Sequence, residues 1–149
     1  MRLLDRLTGT RYPSGGVAPR SSAEVRAALL ALGAPDAPYR VRTATAAEKA
    51  DLVAEWRNPG PGEYLRTRLR LIPARREVRA LDEHRDARTR EYSRGQVTRF
   101  SRTWTLDRGA EGCLRMTETS RFDLAEMRDP LRTAVLDAGW TWRGALLKL

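Results

Sequence analysis

The sequence predicts an α+β fold: one twisted antiparallel sheet of about six strands with two helices packed against it. Three observations carry that prediction. In "YLRTRLRLIPARREVRAL", residues 64–81, leucine alternates with arginine, a proline interrupts, and alternation resumes, as in a two-stranded ribbon with one apolar and one polar face. A second alternating pair, "QVTRFSRTWTL" (96–106) and "CLRMTETSRF" (113–122), flanks the turn-like "DRGAEG". Two further segments place apolar residues at helical spacing between capping residues and a glycine.

The elements follow in chain order. Residues 1–20 read as a loose N-terminal arm, of which 1–10 is alternatively a short helix. Ser21 and Glu24 fit a capping box, each side chain satisfying a backbone N–H of the other's turn. Val25, Ala28, Leu29 and Leu32 then form one stripe, Gly33 offers a left-handed stop, and Pro35 prevents continuation. "YRVRTAT", 39–45, alternates as a half-buried strand. "DLVAEWR", 51–57, is ambiguous: Thr45 and Glu48 would box a helix running to Arg57, whereas Leu52, Ala54 and Trp56 alternate as a strand after a turn at 46–50. The strand is the preferred reading. "NPGPG", 58–62, ends either element.

In the 64–81 ribbon, Leu65, Thr67, Leu69 and Leu71 share one side, and Arg66, Arg68 and Arg70 the other. A connection at 73–76 pairs Ile72 with Glu77, Leu71 with Val78, Leu69 with Ala80, Arg70 with Arg79, and Arg66 with Glu83. The apolar side of the ribbon is then satisfied completely. Matching apolar residues across the second ribbon gives Leu106–Leu114 and Trp104–Met116, which places Arg102 opposite Glu118. Asp123 and Glu126 read as a first turn, and Asp129–Pro130 as the cap and first position of a new helix lined by Leu131, Val135 and Ala138 and stopped by Gly139. A last strand carries Trp140 and Trp142.

Composition bounds the rest. At 149 residues the chain reads as a single domain, residues 1–149, able to bury roughly 70% of its unfolded surface. No apolar run approaches the roughly 18 residues that cross a bilayer, so no membrane partner is expected. "MRLLDRLTGTRYP" interrupts its apolar patch with charges and reads as no secretory signal. Cys113 is the sole cysteine, so a reducing cytoplasmic setting is expected.

"DLVAEW", "EVRALDE", "RGQ" at 94–96, and "DPLRTAVLDAGWTWRG" through "KL" resemble a small, uncharacterised bacterial protein family, over most of the chain from Tyr39 onward. The resemblance implies no activity, cofactor or catalytic residue.

Chemistry has few candidates. His84, the only histidine, stands in the charged run "DEHRDARTRE" and reads as a solvated loop residue without a partner. Cys113, beside a turn glycine, reads as a small strand residue, since nothing local would lower its pKa. The two are 29 positions apart, with no H-x-x-x-H or C-x-x-C, so no metal site is expected. No glycine-rich phosphate loop occurs, and no cofactor or catalytic set is assigned. Arg102 and Glu118 form the most catalytic-looking pair, Glu118 being a candidate acid or base on an aromatic-rich face, but the preferred reading is a structural ion pair at the end of the core or in a water-filled pocket.

The charge is more informative. The formal net charge is +9, carried by 26 arginines and two lysines against 19 acids, an imbalance that compositional bias or function would each produce. Between Arg66 and Arg108 stand 13 arginines and six acids, so that stretch holds +7 of the total. The reading is a non-enzymatic binding or interaction module with a basic sheet face. Its alternative is binding of nucleic acid or another polyanion, through Arg66, Arg68, Arg70 and Arg79; an acidic protein would meet the same face. A second alternative is an apolar-ligand pocket walled by Trp56, Trp104, Trp140 and Trp142, with Arg102 and Glu118 orienting the guest.

Overall fold

The computed structural model describes residues 3–57, 63–86, 91–95, 100–108, 114–146 and 148–149; of residues 86, 91–95, 100–108 and 114–123 it describes the backbone. The predicted position of Cys113 lies outside these residues. The chain is α+β, with helices α1 (Leu3–Thr8), α2 (Ser22–Ala31) and α3 (Leu124–Asp137) and strands β1 (Arg40–Thr43), β2 (Leu52–Arg57), β3 (Glu63–Ile72), β4 (Glu77–Asp86), β5 (Glu91–Gly95), β6 (Phe100–Arg108), β7 (Leu114–Asp123) and β8 (Thr141–Gly144).

Five strands pair antiparallel in the order β1-β2-β3-β4-β5, and β8 lies parallel along the first half of β4. The sheet is therefore mixed, not wholly antiparallel. The cause is topological: the chain returns to β4 only after β5, the β6–β7 hairpin and the 14-residue α3, a long crossover of the kind parallel pairing requires. The β6–β7 hairpin, expected within the same sheet, forms its own two-stranded sheet.

The β3–β4 register is the predicted one at every named pair, from Ile72–Glu77 to Arg66–Glu83. Alternation leaves only that arrangement with both leucine rows inside. Leu52, Ala54, Trp56, Leu65, Leu69, Val78 and Ala80 form the inner face and pack with Val25 and Leu29 of α2 and Leu124, Met127, Leu131 and Val135 of α3. The opposite face is not the wet surface expected, because Val53 and Leu81 on it are fully buried.

Local signals were used in unexpected ways. The Ser21–Glu24 box is present at α2. Gly33 is not left-handed; a Cβ there would stand 2.5 Å from the Val41 backbone nitrogen, so the glycine admits β1 against the helix end. Thr45 and Glu48 box only a one-turn 3-10 helix, Ala46–Glu48, before β2 begins. Asp129 does not start a helix. α3 runs through Pro130, whose missing N–H leaves only the carbonyl of solvent-exposed Glu126 unpaired within the helix, while Leu124, Met127, Leu131 and Val135 keep one unbroken stripe.

Residues 3–20 are tied to β8 and the end of α3. Arg11 and Trp142 exchange backbone hydrogen bonds of 2.8 and 2.9 Å, and Arg20 donates to the Ala138 carbonyl. Tyr12 donates to buried Asp5, and the Trp140 indole donates to the Arg20 carbonyl. Gly144 lies so close beneath α1 that a Cβ would stand 1.6 Å from the Thr8 carbonyl oxygen. Among the described residues no helix is long and apolar enough to cross a membrane.

Candidate anion-binding end of the sheet

The arginines expected to form one platform divide into two groups. Arg66 and Arg68 are part-buried and both engage Glu83, which is 1% exposed. Arg66 also pairs with Glu48 at 3.5 Å, and Arg68 donates to the Glu48 carbonyl at 2.8 Å. Arg79 donates to Glu77 at 3.0 Å, and Arg143 of β8 reaches the other oxygen of that carboxylate at 2.8 Å. Burial works to raise the Glu77 carboxyl, but the hydrogen bonds from Arg143 and Arg79 outweigh it and hold it below the usual carboxylate range. Arg66, Arg68 and Arg79 are thus committed to internal carboxylates.

Arg42 extends this network. It forks onto both oxygens of Glu48 at 2.7 and 2.8 Å and touches Glu55 at 3.3 Å. The hydrogen bond from Arg42, aided by the Thr45 N–H and hydroxyl against the opposing effect of burial, lowers Glu48 to about 2.

Arg70 is different. It stands opposite Arg79 in register, and the two like charges part company: Arg79 turns to Glu77, while Arg70 donates to the backbone carbonyl of Lys49 at 2.9 Å. That bond brings Arg70 to an end of the sheet that carries two one-turn 3-10 helices, Ala46–Glu48 and Pro73–Arg75. Each ends in a cationic residue with a left-handed backbone, Lys49 (φ 52°) and Arg76 (φ 49°). Non-glycine residues pay roughly 1–2 kcal/mol for that conformation. Lys49, Arg75 and Arg76 are exposed, and none of the three, nor Arg70, has a carboxylate partner among the described residues.

This end is held firmly. Asp51 donates its N–H to the Leu69 carbonyl, and its carboxylate accepts the Leu71 N–H, both at 2.8 Å. The first strand residue of β8, Thr141, donates to the Arg76 carbonyl at 2.9 Å. Four cationic side chains therefore project from a rigid rim that neutralises none of them. Sequence reasoning found Arg70 and missed Lys49, Arg75 and Arg76. The available signal was "PARR" itself, which puts arginine at a turn position where glycine or asparagine is the low-cost choice.

The other predicted site residues lie apart from this rim. His84 is not in a loop. β4 continues through Asp86, so His84 is buried in the strand, with Nε2 3.1 Å from Glu63 Oε2 and Nδ1 unpartnered. Trp56, Trp140 and Trp142 are core members, and only Trp142 edges a described cleft. The predicted Arg102–Glu118 pairing is displaced: β6 sets Leu106 opposite Met116, Trp104 opposite Glu118, and Arg102 opposite Arg121, with an irregularity between Thr103 and Trp104. A slip of two residues preserves the faces of a strand, so apolar matching alone does not exclude it. The side chains of Arg102, Trp104 and Glu118 lie outside what is described. Among the described residues, no three histidine, cysteine, aspartate or glutamate side chains group to hold a metal ion.

Compared with known proteins, the chain matches no family model, no curated protein and no solved structure. The resemblance to an uncharacterised bacterial family thus rests on its motif residues alone.

Proposed function

We propose that this protein is a non-enzymatic interaction module that binds a polyanion through the turn end of its sheet, with Lys49, Arg70, Arg75 and Arg76 as the contacts. One observation carries the reading: these cations share one end of the sheet and have no carboxylate partners among the described residues, while Arg66, Arg68 and Arg79 of the same ribbon are neutralised within the fold. Exposed guanidinium and ammonium groups displace the counterions of a phosphate or sulfate chain, a contribution that depends on charge spacing rather than base identity. The net charge of +9 favours encounter with such a chain.

Retention on heparin and binding of a labelled single-stranded oligonucleotide test the reading across a salt series. Four phosphate contacts predict a slope of log K against log salt of about −3 on single strands. Lys49→Ala with Arg75→Ala should weaken binding at low salt and flatten that slope by about one to two. Arg85→Ala removes an exposed cation from the opposite end of the ribbon and should do neither. Equal losses in the rim and Arg85 variants would show that overall charge, not this rim, governs retention.

A further inference from the structure

A second basic feature lies away from the rim, between α1, the N-terminal half of β4, α3 and β8. It is a cleft of about 70 Å³ whose lining includes Arg6, Arg11, Asp82, Arg128, Arg132 and Gly144. A single water needs roughly 10–15 Å³ of such space, so the cleft has room for a few waters or one small oxyanion. Four guanidiniums and one carboxylate line it.

The carboxylate does not neutralise the set. Asp82 is buried and fully engaged on the protein side: Thr67 donates to Oδ1 at 2.8 Å, and Arg128 donates to Oδ2 at 2.8 Å. That pair anchors Arg128 at the inner wall. Arg132 meets Asp129 at 3.0 Å, but Asp129 is largely exposed and does not line the cleft. Among the described residues the Arg11 side chain donates only to the neighbouring Thr10 carbonyl, and that of Arg6 has no partner.

The backbone around these groups is fixed. The Arg11–Trp142 bridge holds the N-terminal segment against β8. Thr10 Oγ1 accepts the Gly144 N–H at 3.2 Å and lies 2.7 Å from Thr8 Oγ1. Absence of a side chain at Gly144 lets α1 close the cleft. Arginines from α1, the segment after it and α3 thus line one cleft, and the planar guanidinium is suited to meeting a tetrahedral oxyanion with paired N–H groups.

We infer that this cleft is a binding site for a single phosphate-type oxyanion, either free or as the terminal group of an organic phosphate monoester. It is distinct from the polyanion rim and does not depend on it.

The test is thermal stability and isothermal titration with inorganic phosphate and with phenyl phosphate, against sodium chloride at matched ionic strength. Phosphate should raise the melting temperature beyond chloride, because a ligand binding only the folded state stabilises it by mass action. Arg11→Ala should raise the phosphate Kd roughly ten- to a hundredfold, the usual loss for one charge-assisted hydrogen bond. The Arg6→Ala, Arg11→Ala double variant should abolish the shift; both side chains are exposed, so the variant should stay folded. Tighter binding of phenyl phosphate assigns the site to a monoester, and tighter binding of inorganic phosphate assigns it to the free ion. Arg76→Ala should leave the phosphate Kd unchanged while lowering heparin retention, which separates this site from the rim. An equal melting shift with chloride, or phosphate affinity that survives the double variant, overturns the proposal.

Discussion

The centre and the turn end of the β3–β4 ribbon use the same residue type for opposite purposes. At the centre, Arg66 and Arg68 close on a carboxylate that is almost fully buried, beside the buried Val53 and Leu81. At the end, Lys49, Arg75 and Arg76 are exposed, and Arg70 bonds a backbone carbonyl with no carboxylate partner among the described residues. The positions are separated by a few residues of one alternating pattern. The lesson is that alternation reports which face an arginine occupies and says nothing about whether a carboxylate waits there. Pairing is decided by neighbouring strands and turns, here Glu48 and Glu83, and pairing determines which cations remain available to a ligand.

The largest expected effect tests the centre. Glu83→Gln removes the charge shared by Arg66 and Arg68 and leaves both guanidiniums part-buried without it. Loss of one member of a buried ion cluster costs about 3–5 kcal/mol. In urea denaturation the midpoint should fall by an amount that, multiplied by an unchanged slope, gives a loss of that order. Arg75→Ala at the turn end should stay within about 0.5 kcal/mol of the parent, as exposed substitutions away from special features do. Comparable losses at the two positions would break the distinction between a structural centre and a functional rim.

An intermediate effect concerns acid. Glu48 links Arg42 and Arg66 and carries a carboxyl lowered from 4.5 to about 2. Because the folded value lies below the unfolded one, its stabilisation is complete above pH 4.5 and disappears as pH falls through 2. After allowance for solvent screening it is on the order of 2 kcal/mol. Glu77, lowered by Arg143 and Arg79, acts in the same direction. Chemical denaturation at pH 7, 4 and 2 should therefore show Glu48→Gln less stable than the parent at neutral pH, with the gap narrowing toward pH 2. A gap constant across that range would mean that Glu48 stabilises by shape rather than by charge.

How much of this was legible varies by element, for physical reasons. The β3–β4 register could be read because both strands alternate strictly, and any one-residue slip would expose a row of leucines. The β6–β7 register could not, since the two-residue slip at Leu106–Met116 and Trp104–Glu118 keeps the same parity, and the irregularity before Trp104, which makes the slip three residues at Arg102, leaves no mark in the apolar pattern. The break expected at Asp129–Pro130 assumed that proline outranks packing. In α3 the four-residue stripe from Leu124 to Val135 outweighs one lost hydrogen bond on an exposed turn. β5 was not anticipated at all, since its five residues sit inside a charged run with no apolar alternation long enough to mark it. For the site, Arg70 was visible as part of a row. Lys49 became relevant only once strand pairing brought the two turns to the same end of the sheet, a placement that local pattern does not encode.

A small gain in stability accompanies the sharpest test of the rim. Arg76 holds φ at 49°, where a side chain costs roughly 1–2 kcal/mol, whereas glycine costs nothing there but loses about 0.4–1 kcal/mol through its freer unfolded chain. Arg76→Gly should therefore stabilise the fold by about 0.5–1 kcal/mol while removing a cation, and Arg76→Ala should remove the same cation without relieving the backbone. If the rim binds polyanions, both variants elute from heparin at lower salt by the same margin, although one is more stable than the parent and the other is not. That pattern would show a turn kept strained for the sake of its charge. Parent-like retention in the glycine variant, together with its added stability, would leave the arginine at this position without a use and reduce the turn end to an ordinary connection.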